Sequence, residues 1–186
     1  QRAMECGMNN PVNLYLIGRN CYNRHIVPNE RLVKFGGQPA GSMFELVSWS
    51  QGMVRHNFVS PNGKYNAKSP PERLRVMFVV GLMADIEFSL RSVSKSTERA
   101  EFAFRIAKRV DVARNRLKLI NSKISHPLVT EVIEAAYQAK LRLENQTNLA
   151  AAADRIGELA RQFAETVDGS TLVSIDALMP PEKVYK

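Results

Sequence analysis

Residues Ser69 to Val93 read SPPERLRVMFVVGLMADIEFSLRSV, and the rest of the chain is best understood around them. The start carries helix signals: Ser69 to cap, Pro70 in the first turn, and Glu72 three residues after the serine, as a capping box requires. Leu74, Met77, Phe78, Gly81, Leu82, Ala84 and Phe88 then recur at helical spacing. Val76, Val79, Val80, Met83, Ile86 and Leu90 fill much of the remaining surface. A helix apolar on most of its faces is buried among other helices or spans a membrane. Asp85, Glu87 and Arg91 interrupt this run well short of the ~18 uncharged residues that a span requires. The stretch therefore predicts the central helix of a helical bundle.

Outward from this helix, the pattern predicts four further helices. One runs from Ser42 to about Phe58, with Phe44, Val47, Trp49, Met53 and Val54 apolar. A loop around Pro61-Asn62-Gly63 joins it to the central helix. After the polar break Ser94 to Thr97, with Ser96 or Thr97 as the next cap, a helix from about Glu98 to Ser122 carries the clearest stripe. Phe102, Ile106, Val110, Ala113, Leu117, Ile120 and Ile124 step by three or four. A fourth helix opens at Ser125-His126-Pro127 and runs to about Asn145, with Val129, Ile133, Ala136, Tyr137 and Leu143 inward. The last, Asn148 to Val167, buries Leu149, Ile156, Leu159, Phe163 and Val167, and Asp168-Gly169 stops it. VNLYLIG (Val12 to Gly18) and RLVKFGG (Arg31 to Gly37) alternate and end in glycine, as short strands do. The expected fold is mainly α: an antiparallel bundle of four long helices plus a fifth. Residues 1–41 form a strand-like arm, residues 42–168 the bundle, and residues 169–186 a loosely docked extension.

The charge is unevenly distributed. Residues 1–127 hold 20 Lys/Arg against 9 Asp/Glu, whereas residues 128–186 hold 6 against 9. A basic first two-thirds and a slightly acidic remainder point to one surface offered to a polyanion, most often nucleic acid. Cys6 and Cys21 form neither a disulfide framework nor a zinc spacing. With no apolar leader in view, a cytoplasmic location is expected. Met8-Asn9-Asn10 reads as a natural start, with the residues before it an addition.

Within the third predicted helix, Arg105, Arg109, Arg116 and Lys123 are spaced so that they fall within about 40° of one another. Such a ridge can follow phosphates without reading bases. Arg19, Arg24, Arg31 and Lys34 form a basic arm interleaved with Tyr15, Tyr22 and Phe35, a combination suited to stacking on unpaired bases. Asp85 and Glu87 need partners if buried, an arginine on a neighbouring helix being the simplest. His126 reads as a helix-start residue. There is no phosphate-cradling glycine loop, nucleophile elbow or metal-ligand spacing, so neither catalysis nor a cofactor is expected.

Two resemblances bear on function. Arg19-Asn20-Cys21-Tyr22-Asn23-Arg24-His25 resembles the Arg-x(4–6)-His motif of HEPN-type ribonucleases, which implies an arginine and a histidine at an RNA phosphodiester. From Phe44 to Asn145, and most closely over RVMFVVGLMADIEFSL and AEFAFRIAKRVDVARNRLKL, the order of features resembles another group. It is similar to the four-helix-bundle proteins of ribosomal-RNA intervening sequences and to their relative, the accessory variability determinant of diversity-generating retroelements. That resemblance implies a basic oligomer that binds structured RNA and a reverse transcriptase without catalytic residues of its own.

The expectation drawn from the whole sequence is a non-enzymatic accessory protein. It would bind RNA, or single strands, in preference to duplex DNA, within a nucleoprotein machine, with a protein partner and possible self-association and no membrane. The alternatives are a DNA-binding regulator or relaxosome component whose amino-terminal strand pairs across a dimer, a HEPN-like ribonuclease, and a structural bundle.

Overall fold

The central helix, α4 (Pro71–Val93), is buried without interruption from Val76 to Leu90. In the computed structural model, which describes residues 13–52 and 68–186, five other elements pack on it. These are α1 (Leu14–His25), α3 (Leu46–Ser50), α5 (Glu101–Ile124), α7 (Gln146–Thr166) and a 3-10 segment at Gly169–Leu178. Helix α2 (Glu30–Gly36) lies on α5, and α6 (Pro127–Gln138) bridges α5 and α7. The fold is a helical bundle with no strand among the described residues. No helix there is long and apolar enough to cross a membrane.

The two expected strands are helices. Asn13 caps α1, its Oδ1 accepting from the N–H groups of Tyr15 and Leu16 at 3.0 and 3.3 Å. Leu14, Tyr15, Gly18 and Tyr22 then bury at helical spacing. Asn29 caps α2 through the Leu32 N–H at 3.1 Å. The glycine that resembled a strand end is the helix stop: Gly37 sits at φ +65°, and its N–H donates to the Leu32 carbonyl. Short apolar runs fit either period, and here the asparagine caps and the buried neighbours select the helix.

Other boundaries shift for local reasons. Helix α4 caps at Pro70 rather than Ser69, because the following Pro71 holds Pro70 extended and pushes the first turn one residue on. Ser69 instead donates its N–H to Gln51 Oε1 at 2.8 Å. Neither Ser96 nor Thr97 caps α5. Thr97 gives its N–H and hydroxyl to Glu30 Oε2, at 2.9 and 2.6 Å, which ties α2 to the α4–α5 turn. His126 does start α6, its Nδ1 accepting from the Leu128 N–H at 3.2 Å. That helix ends early because Asn145 donates its side-chain amide to the carbonyls of Ala139 and Lys140, at 2.6 and 2.9 Å. Tyr137, expected inward, is 41% exposed. Of the helix expected from Ser42 to Phe58, Leu46–Ser50 is helical, and residues 53–58 fall outside the described set, as does the turn at Pro61-Asn62-Gly63.

The tail is docked, not loose. Leu172 and Ile175 enter the core, and Asp176 receives a bidentate pair from Arg75, Nε to Oδ1 at 2.6 Å and Nη2 to Oδ2 at 2.8 Å. Gly169 is not a left-handed stop. A Cβ there would lie 1.8 Å from the Glu72 carbonyl oxygen, so the residue is small because two backbones touch. The Lys186 N–H reaches the Ser48 carbonyl at 2.8 Å, bringing the chain end to α3.

Burial of α4 carries two carboxylates inside. Asp85 receives the Arg109 Nε at 2.5 Å and the Ser89 hydroxyl at 3.3 Å. Glu87, with no exposed surface, receives the Tyr15 hydroxyl on Oε2 at 3.0 Å and Arg91 on Oε1 from Nε and Nη2, at 3.0 and 2.8 Å. Burial pushes both carboxyls above their usual range, against the pull of Arg109 and Arg91 respectively.

Three outcomes follow from this packing. Arg109→Met leaves Asp85 buried and uncompensated, so chemical denaturation should report a loss of about 3–5 kcal/mol, most of it recovered in Asp85→Leu/Arg109→Met. A carboxyl whose folded pKa is raised binds more protons in the native state, so its contribution to stability declines as pH rises from the unfolded pKa through the folded one. The stability of the native protein relative to Glu87→Gln should accordingly fall as pH rises above the ordinary carboxyl value of 4.5 in urea titrations. Gly169→Ala should cost about 1–3 kcal/mol through the Glu72 contact and expose the tail to limited proteolysis.

Candidate nucleic-acid interface

Helix α5 sets the geometry of the basic surface. Phe102, Ile106, Val110, Ala113, Leu117 and Ile120 bury one side of it. At ~100° per residue, Arg105 and Lys123 lie about 90° from the centre of that side, Arg116 about 70°, and Arg109 only about 50°. The four predicted ridge residues therefore do not share one fate. Arg105, Arg116 and Lys123 are exposed. Arg109 turns inward: besides Asp85, it donates from Nη2 to the Phe44 carbonyl at 3.1 Å and from Nη1 to the Ser42 carbonyl. With its side chain 16% exposed, it pins the 42–44 segment to α4 and α5 and is withdrawn from any ligand.

The outward cations have little to give up. Arg105 pairs with Glu101 at 2.6 Å, but both side chains are more than half exposed, so water and salt compete for the pair. Arg116 lies with its guanidinium 5.8 Å from the Phe78 ring centroid. Lys108, which the ridge pattern passed over, is exposed on the same outer face. Its signal was present in the sequence: it lies about 150° from the buried centre, where a side chain must face solvent. Arg114 and Lys118 are taken up elsewhere, over Tyr137 of α6 at 3.6 and 4.6 Å. The outer face also exposes Phe104, Val112 and Leu119, which are 59%, 51% and 50% accessible, so cations and apolar groups alternate along it.

The arm divides. Helix α2 packs on α5 and sets exposed Arg31 beside the ridge, with Phe35 75% exposed. Lys34 pairs with Glu98 at 2.6 Å and lies 5.4 Å from the Phe35 ring centroid. Arg19 and Arg24 belong to α1, which packs on α4 and α7. Tyr15 and Tyr22, expected among stacking aromatics, are buried. The Arg19-to-His25 stretch forms the second half of α1. Its two ends are about 120° apart around the helix. Arg19 lines a cleft with Arg91 and Asp154, whereas the His25 ring stacks on Phe44 at 4.2 Å and meets Trp49 at 5.3 Å.

Among the described residues, no group of three or more His, Cys, Asp or Glu side chains is placed to hold a metal ion. What the α5–α2 surface offers is unpaired or weakly paired cations on a rigid rod, with exposed aromatic and aliphatic groups between them. No family model matches the chain, and neither a curated protein nor a solved structure shows significant similarity to it.

Proposed function

We propose that this chain is a basic accessory protein that binds RNA or single-stranded nucleic acid along the outer face of α5 and contributes no catalytic group of its own. The observation that carries this reading is the outer face itself. Arg105, Lys108, Arg116 and Lys123 are exposed along a helix of 24 residues, about 36 Å long. Arg31 of α2 extends the charge at one end. Guanidinium and ammonium groups fixed on a rod release counterions from a phosphate chain, and interleaved Phe104 and Phe35 favour bases free to stack over a closed duplex. In its named version the role is that of the retroelement accessory protein, with a reverse transcriptase as partner and self-association around structured RNA. The DNA-binding regulator relied on an amino-terminal strand to pair across a dimer, and that segment is helical.

Binding of the full chain to matched single-stranded RNA, single-stranded DNA and duplex DNA across a salt series tests the proposal. Arg105→Glu/Arg116→Glu/Lys123→Glu should lower affinity for single strands at least a hundredfold at low salt. The salt slope should fall by about 0.7 per lost phosphate contact. Helical content should stay unchanged, and Arg142→Glu, an exposed site on the α6–α7 connection, should bind as the parent does. Unchanged affinity in the triple variant would sink the reading, and sequence-selective duplex binding would replace it with the regulator.

A further inference from the structure

On α4, Glu87 lies about 160° around the helix from Asp85, facing away from α5 and towards α1 and α7. Here the three helices leave a cleft of about 480 Å³, walled by Arg19, Asn20 and Asn23 of α1, Phe88 and Arg91 of α4 and Asp154 of α7. Leu16 completes its apolar side. The volume falls in the range of small-molecule sites and is larger than a bare inorganic anion needs.

The cleft is supported from behind. Glu87 is fully buried and holds Arg91 by two hydrogen bonds to one oxygen, while Tyr15 holds the other oxygen of Glu87. Gly157 leaves room for this pair, since a Cβ there would lie 2.6 Å from the Tyr15 hydroxyl and 3.0 Å from the Glu87 carboxylate. A buried ion pair is no more stabilising than well-packed apolar residues of the same volume. What it adds is direction: the guanidinium of Arg91 is locked, with Nη1 turned to the cleft. At present Nη1 is met by Asp154 at 2.7 Å, whose side chain is 69% exposed and free to swing away. Arg19 makes no ion pair among the described residues, and the Asn20 and Asn23 amides make no hydrogen bond there, which leaves donors and acceptors of both kinds at the wall.

We propose that this cleft binds a nucleoside monophosphate group, either as the free nucleotide or as the 5′-phosphorylated end of a strand. The phosphate is held between Arg19 and Arg91, where planar guanidinium forks match its oxygens. Asn20 and Asn23 address the hydroxyls or base edge, and Leu16 and Phe88 take the apolar face. Asp154 occupies the anion's place in the empty cleft and competes with it. The site is separate from the α5 surface and does not depend on how that surface is read.

Calorimetric titration of the full chain with AMP, UMP, adenosine, inorganic phosphate and a dinucleotide with either a 5′-phosphate or a 5′-hydroxyl tests this. Saturable binding of AMP or UMP, at least tenfold tighter than adenosine or phosphate, is expected. A 5′-phosphate dinucleotide that binds at least ten times more tightly than either mononucleotide identifies the strand end as the ligand; equal or weaker binding identifies the free nucleotide. Arg19→Ala should weaken binding at least tenfold. Asp154→Asn should strengthen it several-fold, a gain that a merely structural role for Asp154 would not produce. Arg142→Glu, outside both the α5 surface and the cleft, should bind these ligands unchanged. Absence of saturable binding by any phosphorylated ligand, indifference to Arg19→Ala, or weaker binding in Asp154→Asn would each overturn the proposal.

Discussion

The constraint on which this structure depends is the complete enclosure of α4. Its apolar surface drives five elements onto it, and the same enclosure takes Asp85 and Glu87 out of water. Neither carboxylate tolerates that without partners. Asp85 therefore recruits Arg109 from α5, which goes on to hold the 42–44 carbonyls, and Glu87 recruits Tyr15 from α1 and Arg91 from its own helix. Two buried charges thus fix how α1, α3 and α5 sit around α4, adding direction to a packing force that has none.

The cationic excess of the chain divides under this constraint. Arg109 and Arg114 are half-buried and engaged, Arg75 fastens the tail, and Arg91 is locked by Glu87. What remains outward on α5 is a smaller and cleaner set: Arg105, Lys108, Arg116 and Lys123, with Phe104, Val112 and Leu119 between them. Exposed apolar groups at this density on a basic helix are an expense for a surface that meets only water, and they suit one that meets bases or another apolar-faced partner.

The two sides of α4 consequently differ in character. The α5 side presents an extended, open surface of cations and apolar groups. The α1–α7 side presents a cleft with a pre-oriented guanidinium in its wall. Both are assembled on helices rather than on loops, which holds their side chains in defined positions.

Much of this was legible in the amino-acid order. The all-round apolar run from Val76 to Leu90 specified a buried central helix, and the stripe from Phe102 to Ile120 specified which side of α5 faces inward. Periodicity reports a helix face without needing to know its neighbour. The nature of the 14–36 segment was not legible that way, because a run of seven residues with a terminal glycine fits a strand end and a helix C-cap alike. The caps at Asn13 and Asn29, together with packing on α4 and α5, selected the helix. The fate of individual cations was likewise a tertiary matter. Arg109 and Arg105 differ by one helical turn in sequence, yet one lies opposite a buried carboxylate and the other meets an exposed one. The tail followed the same rule: Leu172, Ile175 and Asp176 carry no strong periodic signal, and their docking depends on Arg75 and Glu72 about a hundred residues earlier. Sequence alone determined the helices whose signals repeat along the chain. Tertiary structure decided which charges are satisfied and which are left free, because that balance is set by contacts between distant residues.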